Sequence, residues 1–136
     1  QGSPSNDRNA NSMVLYMESH TEEGTLRGLF TGDISAAEEK ELLYSYNLLK
    51  PDILKAAHHG SRESSCREFL DALEPRITII SCGEDNSYGH PHKETLERLK
   101  DCGSAVFITK DHAEILVEQE GGKVRVKGIK QPDFSD

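Results

Sequence analysis

The strongest constraint on the fold is the alternation of strand-forming and helix-forming segments along the chain. The clearest strand is the run RITIISC at 76–82, which is rich in β-branched residues. The helical segment CREFLDAL precedes it, and HKETLERLKDC follows it and ends at Gly103. Because strands that alternate with helices build layered sheets, the sequence predicts an α/β fold with helices flanking the sheet.

The other elements fit the same pattern. Ser35 with Glu38, and Ser65 with Glu68, have the spacing of capping boxes and are expected to begin two helices. Pro91 is expected in the first turn of a third helix. Further strands are predicted at 12–19, 25–31, 52–57, 105–109, 114–118 and 123–127. The first two are joined by the turn HTEEG and the last two by a Gly-Gly turn. Antiparallel hairpins at both ends should make the sheet mixed.

Length and composition indicate one globular domain. The chain has 136 residues, of which 35% are hydrophobic and 29% charged. Residues 1–10 are polar and read as a flexible lead-in or an artificial remnant, 11–128 as the domain, and 129–136 as a tail. No run approaches the roughly 20 apolar residues of a membrane span, and the chain does not open on a signal-peptide pattern. We therefore expect no direct membrane contact by this chain.

Charge and cysteine content narrow the function. A net charge of −8 argues against a surface built wholly for gripping nucleic acid. It leaves phosphodiester cleavage open, because a bound metal reverses the local charge of a carboxylate-rich site. The three cysteines are widely spaced, lack a CxxC pair and are expected to be buried thiols: Cys66, Cys82 and Cys102.

Two polar clusters follow predicted strands early in the chain. Asp33 ends the strand LRGLFTGD, where it is either a site carboxylate or merely a helix cap. His58 and His59 follow the strand DILKAA, and adjacent histidines there point in different directions, so one can bind metal while the other faces substrate. Gly60 permits a close turn, and the Ser61 hydroxyl could hold a phosphate oxygen. The alternative is a pair of surface histidines in a loop.

A third cluster, NSYGHPH at 86–92, follows the strand at 76–82. His90 precedes a proline and is therefore held extended, which suits a ligand or a proton-transfer group. His92 should lie in the first helical turn and face water. His20 and His112 lack supporting context and are taken as surface residues. Since α/β folds carry their chemistry at strand ends, the three clusters should converge at one edge of the sheet, with histidine and carboxylate groups suited to zinc or manganese.

These motifs resemble a known family. LFTGDIS, DILKAAHHGSRESS and ITIISCGEDNSYGHPH, with the closing VFITKDHAEILV, are similar to the carboxyl-terminal half of the metallo-β-lactamase-fold domain of the ComEC competence proteins. The likeness runs from about Asn6 to Lys127, and HHGS and NSYGHP are its most specific parts. It implies half of an αββα sandwich with a metal site at the sheet edge.

The resemblance also implies roles for individual residues. Asp33 matches a carboxylate that bridges two metals, and His59 is the favoured histidine ligand. His58 would contact the substrate phosphate or the attacking water, and Ser61 and His90 would line the substrate side. The parent would be a metal-dependent nuclease or phosphodiesterase for DNA uptake, with this chain part of a bacterial, membrane-associated protein, in a domain that is itself soluble and extracytoplasmic.

The sequence departs from the family pattern in one respect. The HxHxDH motif of the first half of the domain is missing, so Asp33 and one or two histidines make only half a site. We therefore expect this chain alone to bind zinc or manganese weakly or not at all, and to be inactive. Alternatives are a hydrolase of small phosphodiesters or lactones, and an inactive interaction or scaffold domain.

The missing half would leave the sheet uncovered. The strands SMVLYM, LRGLF and RITIIS should carry apolar side chains on both faces, as buried sheets do. We therefore expect a homodimer in which a second copy stands in for the missing amino-terminal half of the domain.

Overall fold

The computed structural model describes residues 8–129. Its main sheet has five strands in the order of the chain: β1 (Leu15–Thr21), β2 (Gly24–Phe30), β3 (Ile53–Lys55), β4 (Ile77–Ile80) and β5 (Ala105–Ile108). β1 pairs antiparallel with β2, and every later pair is parallel. The mixed α/β sheet predicted from the sequence is therefore confirmed.

Helices fill the connections between the parallel strands: α1 (Ala36–Ser45), α2 (Arg67–Leu73) and α3 (Lys93–Asp101). Short 3₁₀ turns occupy Asn9–Asn11 and Thr109–Asp111, and a tight turn with non-helical backbone at His58 and His59 occupies Ala57–Gly60. The helices and one face of the sheet share a single core of buried residues: Leu29, Leu54, Ala56, Phe69, Leu70, Leu73, Ile80 and Leu99. Leu42 and Leu43 of α1 pack against this core, so all three helices cover the same face.

The carboxyl-terminal hairpin, formed by β6 (Glu114–Glu120) and β7 (Lys123–Ile129), differs from the expectation. The sequence predicted one sheet with hairpins at both ends, but in the described residues this hairpin is a separate two-stranded sheet. The 3₁₀ turn Thr109–Asp111 ends the run of parallel strands before β6 begins. The turn of the hairpin instead reaches the turn of the first one, with Gly122 packed against the Glu23 carbonyl.

The start of α2 also differs from the prediction. A capping box from Ser65 to Glu68 was expected, but the N-cap is Cys66, and no side chain on α2 caps the helix. The buried carboxylate of Glu39 does so from α1, accepting the Ser65 amide at 2.6 Å and the Cys66 amide at 2.8 Å. Local spacing could not reveal a cap that comes from another helix.

The helix α3 begins later than expected. Its N-cap is His92, so Pro91 precedes the helix instead of lying in its first turn, and the His90–Pro91 peptide bond is cis. The capping box of Ser35 and Glu38 at the start of α1 is present as predicted. The three cysteines are free and partly buried.

The face of the sheet opposite the helices is also apolar. One row of residues, paired from strand to strand, crosses it: Leu15, Phe30, Lys55, Ile79 and Phe107. Leu15 is 53% exposed and Phe30 39% exposed, so much of this face meets solvent. Within residues 8–129, no helix is long and apolar enough to cross a membrane.

Candidate functional site

Three neighbouring strands deliver the polar clusters to one edge of the sheet. β2, β3 and β4 are adjacent and parallel, so their carboxyl ends lie side by side. The His58 amide donates to the Gly32 carbonyl at 2.9 Å, which joins the segment after β2 to the turn after β3. A ring nitrogen of His59, Nδ1, lies 2.7 Å from the Ser81 carbonyl after β4. The three segments are thus joined by direct hydrogen bonds.

Asp33 and His59 face each other at this edge. Asp33 Oδ1 lies 3.9 Å from His59 Nε2, and the side chains are 44% and 51% exposed, respectively. A carbonyl oxygen only accepts hydrogen bonds, so His59 Nδ1 carries a proton, and Nε2 is the ring nitrogen left to face Asp33. Two ligands that each lie about 2.0–2.2 Å from a tetrahedral zinc ion are about 3.3–3.6 Å apart. The separation of the pair is a few tenths of an ångström wider than this, so a small side-chain rotation would bring both atoms to the spacing of two ligands of a single ion.

The turn that carries the histidines has an uncommon backbone. His58 and His59 both adopt left-handed conformations, with φ of 48° and 57°. This conformation is unfavourable by roughly 1–2 kcal/mol for each residue that has a Cβ atom. Strained backbone of this kind clusters at functional sites, where the surrounding structure holds it in place. Here two hydrogen bonds hold the turn: the His58 amide donates to the Gly32 carbonyl, and the Ser61 amide donates to the His58 carbonyl. Gly60, which follows the histidines, is buried.

His90 completes the cluster from the third segment. Its side chain is buried, and its ring centroid lies 5.5 Å from that of His58 and 6.2 Å from that of His59. Burial lowers the pKa of His90, and the neighbouring imidazoles of His92, His58 and His59 lower it further when charged. The neutral ring, with one donor and one acceptor nitrogen, is therefore favoured.

The loop that presents His90 is fixed by the Asn86 side chain. Asn86 Oδ1 accepts the His90 amide at 2.7 Å, and its Nδ2 donates to the carbonyls of His90 and Gly83 at 2.8 and 2.9 Å. One side chain thus closes the loop over residues 83–90. The Asn of the NSYGHP motif has a positional role that the sequence did not reveal.

Ser61 lies beneath the turn. Its side chain is buried, its hydroxyl accepts the Glu63 amide at 3.3 Å, and its own amide donates to the His58 carbonyl at 3.0 Å. These contacts hold the turn in shape. The predicted contact of Ser61 with a phosphate oxygen remains a prediction.

The prediction that His92 faces water is wrong. Its ring is half-buried: Nδ1 accepts the Arg62 amide at 2.9 Å, and Nε2 lies 3.0 Å from the Tyr88 carbonyl. His92 therefore links the histidine turn to the loop that carries His90, and as the N-cap of α3 it does so from a rigid position. Only the folded arrangement, which brings Arg62 close to His92, reveals this role.

The two remaining histidines lie outside the site. His20 is exposed on β1, as expected, and its Nε2 lies 3.2 Å from Glu18. His112 is not a simple surface residue, because its ring packs against Gly128 and its Nδ1 is buried without a hydrogen-bond partner in the described part of the chain.

Lys55 is a neighbour of the site that the sequence did not single out. It ends β3 on the sheet face away from the helices, between Phe30 and Ile79 in the paired strands. Its Nζ donates to the Ala56 carbonyl at 3.1 Å. Burial lowers the pKa of Lys55, and the Asp33 carboxylate partly offsets this effect. A lysine inside the apolar strand DILKAA, three residues before His58, was the available signal.

Two cavities open beside the histidines. One, of about 190 Å³, is lined by His59, Cys82, Gly83, Asn86, Tyr88 and His90. A larger one, of about 510 Å³, shares Cys82 and Gly83 with it and extends to Lys110 and His112. Across residues 8–129, no group of three His, Cys, Asp or Glu side chains is arranged to hold a metal ion. The described residues thus supply two facing side chains of types that can bind metal, with a cavity beside them.

Comparison with known proteins relates the chain to proteins of bacterial competence. It is 36% identical over 108 residues to ComE operon protein 3 of Bacillus subtilis and 33% identical over 109 residues to Recombination protein 2 of Haemophilus influenzae. It is 34% identical over 104 residues to Competence protein ComA of Neisseria gonorrhoeae. These alignments cover 76–80% of this chain.

The chain spans only 13–14% of the length of these relatives. No family model matches it, and no solved structure matches it. The similarity therefore concerns one segment of much longer bacterial proteins, and it supports a competence-related family for this chain.

Proposed function

We propose that this chain carries one half of a metal-dependent phosphodiesterase site that acts on DNA in bacterial competence. The observation that carries the proposal is the facing pair of Asp33 Oδ1 and His59 Nε2, 3.9 Å apart, at the edge where His58 and His90 also meet. The relatives named for competence and recombination support a role in handling DNA.

In this proposal each side chain has a defined task. Asp33 and His59 hold a zinc or manganese ion, and the Ser81 carbonyl keeps His59 in the tautomer that presents Nε2. The ion, when bound, supplies positive charge to the phosphodiester and lowers the pKa of water. His58 and His90 face the substrate, and the neutral His90 ring can accept or donate a proton there.

The site requires further ligands from elsewhere. A catalytic zinc site has three protein ligands and an open position, whereas this edge supplies two. The length of the relatives leaves room for a segment that provides the others. We therefore place the complete site between this chain and a second segment of a longer protein.

The test is metal analysis and a nuclease assay on a longer protein that includes this chain. Asp33→Asn and His59→Gln should each lower the metal content and abolish cleavage of linear DNA. His20→Gln is the matched control, because His20 is exposed on β1 and lies outside the site, and it should leave both unchanged.

The proposal would be overturned if the longer protein bound no metal and cleaved no phosphodiester, and the remaining hypothesis would be that this chain is an interaction domain. Cleavage that persists in both site variants would place the active centre elsewhere.

A further inference from the structure

The exposed ring of Tyr88 stands beside the histidine cluster. Tyr88 is 76% exposed although it lies beside a buried histidine. The ring stacks on His90 with centroids 5.5 Å apart and planes inclined by 17°. One face of the ring is therefore supported from below, and the exposed fraction leaves the other face open to solvent.

The position of Tyr88 is fixed before any ligand arrives. Asn86 closes the loop on one side through its bonds to Gly83 and His90. The Tyr88 carbonyl lies 3.0 Å from Nε2 of His92, the N-cap residue of α3. These contacts fix the backbone at Tyr88, and the ring itself is supported by His90, so a ligand that stacks on it would order little further structure.

The 190 Å³ cavity beside the ring has no carboxylate in its own lining, although the protein carries a net charge of −8 and although Glu84 and Asp111 line the cavity that adjoins it. The cavity runs from Tyr88 to His59, whose Nε2 faces Asp33. A phosphodiester at His59 would therefore have a neighbouring group within reach of the Tyr88 ring.

We propose that Tyr88 is a stacking platform for a nucleobase of single-stranded nucleic acid, which places the adjacent phosphodiester at the histidines. This inference rests on the proposed function and adds to it the class of substrate. Flat aromatic faces bind bases of any sequence by stacking. A small phosphodiester without a base would gain nothing from Tyr88, so the residue would distinguish nucleic acid from such compounds.

The experiment measures binding of two oligomers to the full chain in a metal chelator, by NMR titration. The first is a short single-stranded oligothymidylate, and the second is an abasic oligomer with the same number of phosphates. Tyr88→Ala should weaken oligothymidylate binding by roughly 5- to 150-fold, the range for loss of one stacked base. Binding of the abasic oligomer should be weaker and insensitive to this change.

Two further variants separate stacking from other effects. Tyr88→Phe keeps the ring and should bind as the wild type does. Tyr44→Ala is the matched control, because Tyr44 is 78% exposed, lies on α1 and bonds Glu68 instead of the site. It should leave binding unchanged.

The inference is overturned if wild-type protein does not bind oligothymidylate, if it binds the abasic oligomer equally well, or if Tyr88→Ala binds normally. Because the chelator removes metal, this result is independent of catalysis. If the chain binds DNA bases but the longer protein does not cleave DNA, only the proposed function is refuted. If the longer protein cleaves DNA equally well without the Tyr88 ring, only this inference is refuted.

Discussion

At the scale of single residues, the orientation of the His59 ring limits how many metal ligands the chain can offer. Its Nδ1 is hydrogen-bonded to the Ser81 carbonyl, so only Nε2 is available for a metal ion, and Nε2 faces a single carboxylate, that of Asp33. Metal affinity depends steeply on the number and geometry of the ligands. We expect calorimetry with zinc or manganese to show weak binding or none. Tight binding of one ion by a single copy of the chain would contradict this prediction.

The site residues predicted from the sequence share a simple signal. Asp33, His59 and His90 each follow a strand, and parallel neighbouring strands bring such positions together. Tyr88 and Lys55 were not singled out, because their importance comes from what lies across from them. Strand periodicity tells which face a residue occupies, but it does not tell which side chain of another segment stands opposite.

Buried Glu39 provides a stability prediction. Its carboxylate accepts the amides of Ser65 and Cys66 at the start of α2. Glu39→Ala would leave both donors without a partner, and a buried unsatisfied donor costs about 1–3 kcal/mol. We expect urea denaturation to show a loss of about 2–4 kcal/mol in the free energy of unfolding. Glu38→Gln, which keeps an acceptor for the Ser35 cap, should cost less.

The same carboxylate predicts a pH dependence. Burial raises the pKa of Glu39, and the two amides and Arg98 offset this only in part. In the unfolded chain a glutamate titrates near about 4.3. The contribution of Glu39 is therefore complete below that pH and is lost as the pH rises through the raised folded-state pKa. The unfolding free energy of wild type minus that of Glu39→Gln should be larger at pH 4 than at pH 7. An equal difference at both pH values would mean that the folded-state pKa is not raised.

At the scale of elements, the histidine turn and the start of α3 behave as one unit. The His92 amide donates to the Gly60 carbonyl at 3.0 Å, and Thr95 Oγ1 donates to the Ser61 carbonyl at 2.9 Å. A Cβ on Gly60 would lie 2.7 Å from Pro91 Cβ, so the two segments are in direct contact. The glycine of HHGS and the proline of NSYGHP are thus partners in one packing arrangement.

This packing can be tested with two glycines that have the same backbone conformation. Gly60 and Gly103 both have φ of +79°, but a Cβ at Gly103 would meet nothing within 4 Å. Gly103→Ala should cost only the left-handed conformation, about 1–2 kcal/mol. Gly60→Ala adds the clash with Pro91 and should cost about 2–5 kcal/mol in thermal or chemical unfolding. Equal costs for both variants would show that the contact with Pro91 relaxes freely.

The order and type of elements could be predicted from the sequence, but several boundaries could not. All seven predicted strands are present among the described residues, because β-branched runs and turn residues report local structure. The start of α2 was misplaced since its cap comes from Glu39, 26 residues before Ser65. The second hairpin was predicted, but its separation from the main sheet was not, because the turn at 109–111 that ends the main sheet contains no glycine or proline.

At the scale of the whole molecule, the two faces of the sheet are unequal. The helices cover one face, while Leu15, Met17 and Phe30 remain 53%, 36% and 39% exposed on the other. Exposed apolar patches of this kind mark interaction surfaces. We expect two copies of this chain to pair through this face. Net charge opposes such pairing only weakly, because salt screens it beyond about 8 Å.

Sedimentation over a range of concentrations tests this prediction. Phe30→Glu would place a charge on this apolar face, so the variant should be monomeric at concentrations where the wild type is a dimer. Tyr44→Glu, which adds the same charge to an exposed residue on α1, should leave the dimer intact. A wild-type chain that stays monomeric at high concentration would refute the prediction.

The difference in burial between the core residues and the two rim residues Asp33 and His59 bears on how such a chain evolves. The buried cluster lies between the helices and the sheet, whereas Asp33 and His59 stand at the rim, half in solvent. Replacing the exposed Asp33 and His59 side chains would therefore leave the core intact, whereas His90, Ser61 and Gly60 are buried in the same segments and are constrained by folding as well. A gene copy released from the proposed function would be expected to lose Asp33 and His59 before it lost the buried residues of the same motifs.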